Sequence, residues 1–501
     1  MKKTIIAIIA SIWGVFSLQS CIDDTSTYPD KPISTITVSA PSDSVSVDFG
    51  YELVLDPQVT QTMEGMALNY EWGYCGYTKN SIGIVMKDSL KLISKEKVLK
   101  YSFKKLGDYE LRLRVYNDHG STFKFYKLFV KAAFNEGIFV LSADDQTKKG
   151  RVSFMRPLSR EEAESGKQES FYTDAFGSVN PEYPLNDPTD AEKVGADIFI
   201  LSRVDNLMYR INASTFEMYN VTDFKTEFSW MKPVAICSRD KAIPDLLILS
   251  QDGLFSLVNY KSDIAYSGQY FFEEEPGMNK VYGKVIGEPI PPATSTSSMH
   301  SYHFFINYDL SRLYSVYDCY DYATGSKDFP DEEIINVVMD KNKMSCVVTR
   351  SKTDPTQFKV VRGYAGNYNP MGSAWEYKCK ASAITLTREA KMQSNDKYSS
   401  VFYNQGNKMY RWFNWNTEPE LPEKPVITLN EKCEITCFNF SQDAKYLYLG
   451  VYDSRLPDLK GCVYVYDADA IDLATGELQL IKVYDGVADR PVKVFYKNNR
   501  K

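Results

Sequence analysis

The sequence predicts an all-β protein in two parts, a small sandwich followed by a ring of about seven repeated strand units. Three observations predict it. Tyrosine is abundant at 36 residues against six tryptophans, and Val, Ile, Phe and Thr are frequent; these side chains suit a pleated, half-buried surface. Apolar and polar residues alternate with a period of two in several stretches, the pattern of a strand with one face covered. From about residue 135 onward, an apolar strand, a polar turn and a second strand recur. Helical patterning is nearly absent. Only Ser159-Arg160-Glu161-Glu162-Ala163-Glu164 reads as a short helical turn, polar all round.

The first element is a leader. Met1-Lys2-Lys3 is basic, residues 5–16 are apolar, and Leu18-Gln19-Ser20-Cys21 follows. A basic start, a short apolar segment and small residues at its end make a secretory signal rather than a membrane span. Leu18 to Cys21 resembles the lipobox of bacterial lipoproteins. That resemblance implies cleavage after residue 20 and a diacylglycerol on the Cys21 sulfur. Ile22-Asp23-Asp24 is similar to the acidic surface-export signal of Bacteroidota lipoproteins, which implies the outer membrane with the protein facing the cell exterior. Residues 21–32 form an acidic, lipid-anchored tether. Loss of Lys2 and Lys3 with the leader takes the formal charge from −7 to −9. An acidic chain without a basic cluster is a poor partner for nucleic acid. Even without residues 1–20 the chain is too long for one ordinary domain.

The second element is a domain over residues 33–132. Strand-like alternation starts at Ile33 to Val38 and continues at Ser44 to Phe49. In Leu68 to Tyr74, Tyr70, Trp72 and Tyr74 share one face, and a central tryptophan suits the core of an immunoglobulin-like sandwich. Tyr109, Leu111, Leu113 and Val115 alternate with Glu110, Arg112 and Arg114. Gly107-Asp108 supplies the turn before this strand and Asn117 to Gly120 the turn after it. These residues resemble the PKD domain family, whose penultimate strand has this glycine, tyrosine, alternation and Asn-x-x-Gly ending. The resemblance implies a spacer or adhesion module with no catalytic residues.

The third element, residues 135–496, carries the repeats. Seven units begin at Gly137, Asp197, Asp245, Tyr302, Ile334, Ser400 and Cys437, spaced irregularly around about 50 residues. No unit alone can bury its apolar face, whereas packing units around an axis buries it and leaves short edges. A β-propeller is therefore expected; a large sandwich or two smaller β domains would be the alternative. The last unit, Phe440-Ser441-Gln442-Asp443-Ala444-Lys445-Tyr446-Leu447-Tyr448, resembles a WD40-like or lactonase-like blade, departing from it at Gln442 and Ala444. Gly461 to Asp467 continues that blade. The order of lipobox, acidic tether, PKD-like domain and propeller-like domain resembles the PKD-like family of Bacteroidota lipoproteins. That resemblance implies a neighbour of a TonB-dependent SusC/SusD-like importer, working in nutrient capture.

Catalytic patterns are sparse. There are three histidines. His119 sits in the turn after the alternating strand, where a structural role is expected. His300 and His303 would point to opposite faces of a strand. No Gly-x-Ser-x-Gly and no His-Glu-x-x-His occurs. Ser250 to Phe255 reads as an Asp-Gly hairpin rather than a sialidase-type Asp box. Glu273-Glu274-Glu275 and Asp331-Glu332-Glu333 read as solvated loops. Of nine cysteines, Cys21 takes lipid, and the rest show no disulfide or zinc framework; Cys433 and Cys437 read as small buried hydrophobes. No cofactor, metal or catalytic residue is expected. Aromatic density around Trp412, Trp415, Tyr320 and Tyr322 offers the candidate contacts for ligand or partner. A non-enzymatic accessory or binding component of such an importer is expected, with peptide slightly favoured over glycan as cargo. The alternative is a propeller-type glycoside hydrolase or lyase acting on extracellular polysaccharide, which would need carboxylates or histidines converging at the mouth of its channel.

Overall fold

A computed structural model describes residues 33–49, 51–79, 85–131, 134–158, 160–226, 232–238, 245–250, 255–261, 264–270, 285–286, 302–317, 325–339, 344–366, 369–379, 386–395, 397, 400–413, 422–471 and 475–498. The chain folds as two compact units. The first takes residues 33–45, Leu53–Tyr101 and Asp108–Leu128; the second takes Ser46–Glu52, Ser102–Gly107 and residues 129–498.

The first unit is built from β1 (Ile36–Ser39), β2 (Ser44–Asp48), β3 (Glu52–Leu55), β4 (Gln58–Gln61), β5 (Asn69–Lys79), β6 (Val85–Lys87), β7 (Lys91–Ser94), β8 (Leu99–Ser102), β9 (Gly107–Asn117) and β10 (Gly120–Lys131). The largest sheet has the order β2-β10-β9-β5-β6, with β7 also on β5; β1 pairs β4 and β3 pairs β8. The alternation read in β9 is real: Leu111, Leu113 and Val115 are fully buried, while the residues between them are half-buried. Trp72 on β5 lies in the same core, fully buried. Its indole N–H donates to the Glu96 carbonyl at 3.0 Å, and its ring stacks on Tyr126 at 6.0 Å. A buried indole needs that acceptor, because an unpaired N–H would cost about 1–3 kcal/mol. The Asn117 side-chain oxygen accepts from the amides of His119 and Gly120, at 2.9 and 3.1 Å, and so closes the β9–β10 turn. His119 Nδ1 accepts from the Ser34 amide at 3.1 Å, a structural role.

The second unit begins with β11 (Glu136–Ala143) and β12 (Gly150–Met155), followed by two short helices, α1 (Arg160–Glu164) and α2 (Ala175–Val179). Asp174 caps α2, accepting from the Gly177 amide. Six four-stranded antiparallel sheets follow in chain order. Blade 1 is β13 (Pro188–Val194), β14 (Asp197–Ser202), β15 (Leu207–Asn212) and β16 (Met218–Asp223). Blade 2 is β17 (Pro233–Ser238), β18 (Asp245–Ser250), β19 (Phe255–Lys261) and β20 (Ile264–Tyr270). Blade 3 is β21 (Val285–Ile286), β22 (Tyr302–Asn307), β23 (Arg312–Tyr317) and β24 (Gly325–Asp328). Blade 4 is β25 (Glu332–Met339), β26 (Met344–Ser351), β27 (Phe358–Gly366) and β28 (Asn369–Cys379). Blade 5 is β29 (Met392–Asn395), β30 (Ser400–Gln405), β31 (Lys408–Phe413) and β32 (Ile427–Thr428). Blade 6 is β33 (Cys433–Phe440), β34 (Tyr446–Asp453), β35 (Gly461–Ile471) and β36 (Leu478–Ala488). The last strand, β37 (Arg490–Asn498), returns to β11 and completes a seventh sheet of order β12-β11-β37. The two ends of the unit thus close one blade, and the ring is a seven-bladed propeller. The short helix α2 was not legible in the sequence.

The core is distributed between blades rather than gathered at one centre. Val194, Phe199 and Leu201 of blade 1 pack with Ile236, Leu246 and Ile248 of blade 2. Equivalent apolar layers join blades 3 and 4, 4 and 5, 5 and 6, and 6 and 7. The seam between blades 7 and 1 is aromatic: Phe134 stacks on Phe216 at 4.4 Å, Phe139 on Phe495 at 4.6 Å, and Phe154 meets Phe216 edge-on at 5.5 Å. Strands covered on both faces lose the polar–apolar alternation. The second strand of blade 1, Asp-Ile-Phe-Ile-Leu-Ser, is accordingly buried at every position.

Candidate functional site

One end of the ring, where the inner strands begin, carries several charged groups that bridge blades. Its geometry follows from a device repeated in five blades. The inner strand slips register against its neighbour between Pro188 and Asp190, Pro233 and Ala235, Ile334 and Asn336, Ile435 and Cys437, and between Pro491 and Lys493. Each slip is a β-bulge, which inserts one residue and re-aims the side chains around it. In blades 1 and 4 the residue after the bulge is polar and reaches the next blade. Asp190 accepts from the Ala191 amide at 2.9 Å and from the Ile236 amide of blade 2 at 3.1 Å. Lys493 of blade 7 pairs with the same carboxylate at 2.9 Å. Asn336 accepts from the Val337 amide at 3.0 Å and donates to the Ala390 carbonyl at 2.8 Å. Asn404 of blade 5 holds the Ile435 carbonyl of blade 6 at 2.7 Å.

Several other charges near these strand starts are paired. Arg490 binds Glu434 at 2.5 Å and Asp145 at 3.9 Å. Arg151 binds Asp489 at 2.8 Å. Glu333 is held by Arg350 at 2.6 Å and Arg388 at 3.8 Å, and the Arg350 hydrogen bond keeps its carboxyl below the usual range. Glu332 binds Lys359 and accepts from the Thr349 hydroxyl at 2.6 Å. The run Asp331-Glu332-Glu333, expected as a solvated loop, therefore contributes two paired carboxylates on β25. Among the described residues no group of three His, Cys, Asp or Glu side chains is placed to hold a metal. A cavity of about 340 Å³ opens in blade 6, lined by Leu456, Pro457, Asp458, Leu459, Asp485 and Gly486. It has no aromatic wall and lies between the β34–β35 loop and the last part of β36, at the same end of blade 6 as the start of β33.

The candidate contacts fare differently. Trp412 is corrected: it is only 3% exposed and belongs to the layer between blades 4 and 5. Its ring meets Tyr403 at 5.7 Å, and Tyr403 stacks on Tyr410 at 5.0 Å. On β31 the neighbouring Met409 and Tyr410 are buried as well, so both faces of this strand lie in core. Trp415, Tyr320, Tyr322 and Cys21 lie outside the described residues, as do His300 and Glu273-Glu274-Glu275. Cys433 and Cys437 are buried and unpaired, as expected of small hydrophobes.

A surface that sequence reasoning missed is the outer face of the first unit's main sheet. Phe123 and Phe125 on β10 are 45% and 49% exposed, their rings 6.4 Å apart and nearly parallel. The Arg112 guanidinium lies 5.3 Å from the Phe123 centroid, and that of Arg114 lies 4.6 Å from Tyr116. The signal was present in Phe123-Lys124-Phe125-Tyr126-Lys127-Leu128. Apolar residues occupy both phases of the alternation, so both faces of the strand carry rings.

Fold and site together define the class: a seven-bladed β-propeller preceded by a small all-β unit, with several paired charges at one end of its ring. Among solved structures the chain is similar to a quinonprotein alcohol dehydrogenase-like protein from Bacteroides thetaiotaomicron, at 13% identity and a TM-score of 0.54, over 92% of this chain and 97% of that one. It is also similar to two proteins described as candidate 6-phosphogluconolactonases. That from Bacteroides fragilis is 11% identical, with a TM-score of 0.47 over 73% of this chain and 98% of that one. That from Bacteroides uniformis is 12% identical, with a TM-score of 0.45 over 72% and 99%. At these identities the likeness is one of fold. No family model matches the chain, and no curated protein matches it by sequence.

Proposed function

We propose that this protein is a lipid-anchored component of the outer-membrane surface that binds cargo or docks on a SusC/SusD-like importer and performs no chemistry of its own. The observation that carries this reading is the state of the carboxylates where the inner strands begin. Asp190, Glu434, Asp489, Glu332 and Glu333 each hold a lysine or arginine. Held in this way, none of these five is free to exchange a proton with substrate, as the acid or base of a hydrolase must be. A mosaic of fixed, paired charges instead suits orientation of a partner. Supporting it from the sequence are the lipobox ending at Cys21, the acids Asp23 and Asp24, and the PKD-like reading of the first unit as a spacer. Peptide is slightly favoured over glycan as cargo.

The test is a gentle-detergent extraction of the tagged protein from its native outer membrane, with mass spectrometry of what is recovered. Stoichiometric recovery of a SusC/SusD-like pair supports the accessory role. Recovery of the lipoprotein alone, together with turnover of polysaccharide by the isolated propeller, overturns it.

A further inference from the structure

The aromatic seam between blades 7 and 1 contains a lysine. Lys497, on the closing strand β37, is 1% exposed. Its ammonium donates to the carbonyl oxygens of Phe134 and Ala213, and it sits 5.1 Å from the Phe154 centroid and 5.3 Å from that of Phe216. One side chain thus ties the last strand of the unit to its first residues, to β12, and to the β15–β16 turn of blade 1. Phe134 and Phe216 stack on one another beside it. Among the described residues it has no carboxylate partner. The neighbouring charge is Lys193 on β13, which is beside Glu192 and donates to the Gly195 carbonyl at 2.9 Å. Buried cations elsewhere in proteins are paired, because the desolvation cost is otherwise large.

We propose that Lys497 is a proton-sensitive clasp, so that the closure of the propeller ring loosens when its amine is charged and tightens when it is neutral. A neutral amine still donates two hydrogen bonds, one to each carbonyl, while shedding the cost of a buried charge. Burial first, and the charge of Lys193 second, bring its pKa down from 10.5 to about 7. The sign follows from linkage. Between about pH 7 and 10.5 the unfolded chain binds more protons than the folded one, so stability rises with pH across that window. Below about pH 7 both states are charged and the burial cost is felt in full.

The test compares urea unfolding midpoints of wild type, Lys497→Met and Lys193→Met at several pH values from about 6 to 9, with hydrogen exchange of β37. In wild type the midpoint should rise with pH relative to Lys497→Met, and the β37 amides should gain protection. Lys193→Met should move the wild-type rise to higher pH. Parallel midpoint curves for wild type and Lys497→Met would overturn the clasp. Should Lys497→Met fail to fold, NMR titration of lysine-labelled wild type decides: an amine resonance titrating near pH 7 supports the proposal, and none below about pH 9.5 refutes it.

Discussion

At the scale of single residues, burial and backbone conformation decide what each side chain can do. Trp412 reads as a contact in a string of aromatics, yet its neighbours across the strands are core. Trp412→Ala should therefore cost about 3–5 kcal/mol in chemical unfolding, whereas Trp412→Phe should cost much less and leave binding to any partner unchanged. Gly137 shows the opposite constraint. Its φ is +151°, and a Cβ there would lie 2.1 Å from the Met155 carbonyl oxygen. Gly137→Ala should destabilise by about 3 kcal/mol or more, read from the same unfolding curves. The thiols give a third outcome. Burial pushes Cys437 up to about 11 and Cys462 up to about 12. Peptide mapping after thiol labelling at neutral pH should find Cys75, Cys346, Cys433, Cys437 and Cys462 unmodified until the protein is denatured. Ala444 explains a departure visible in the sequence. It occupies the place where similar blades carry glycine, and it takes the left-handed conformation that glycine favours, φ +55°.

At the scale of elements, the parts most legible in the sequence are those buried on both faces. Each of the seven repeat units falls in a different blade. Five of them, beginning at Gly137, Asp197, Asp245, Tyr302 and Ser400, coincide with second strands, while Ile334 and Cys437 mark inner strands. Unbroken runs such as Ile198-Phe199-Ile200-Leu201 stand out because neighbouring blades cover both sides. Outer strands such as β16 and β36 are largely half-exposed or exposed, and their apolar residues do not follow one buried face, so they leave little pattern. The site was less legible still. Asp190 and Asn336 look like ordinary polar residues in strands, and their role depends on a bulge and on a backbone group 46 and 54 residues away. Asp190→Ala removes the acceptor of the Ile236 amide and one carboxylate contact of Lys493 and should cost about 1–3 kcal/mol. Asp190→Asn keeps an oxygen for one of the two amides and should cost less; equal losses in denaturant titration would show that the ion pair, rather than that amide bond, carries the contact.

At the scale of the whole molecule, the propeller depends on one strand arriving last. β37 supplies the inner strand of blade 7 and contributes Lys493, Arg490 and Lys497 to three separate ties. A chain ending at residue 489 exposes both the edge of β11 and the apolar layer against blade 6. It should lose cooperative unfolding and aggregate, as followed by circular dichroism and light scattering. The functional reading depends in turn on where the ring is held. The most direct measurement is protease shaving of intact cells carrying wild type or Cys21→Ala, followed by immunoblotting of the propeller. Wild type should be cleaved on unbroken cells, and Cys21→Ala should be lost from the membrane fraction. Wild-type protein that stays intact until the cells are lysed would contradict a surface-held partner of an importer.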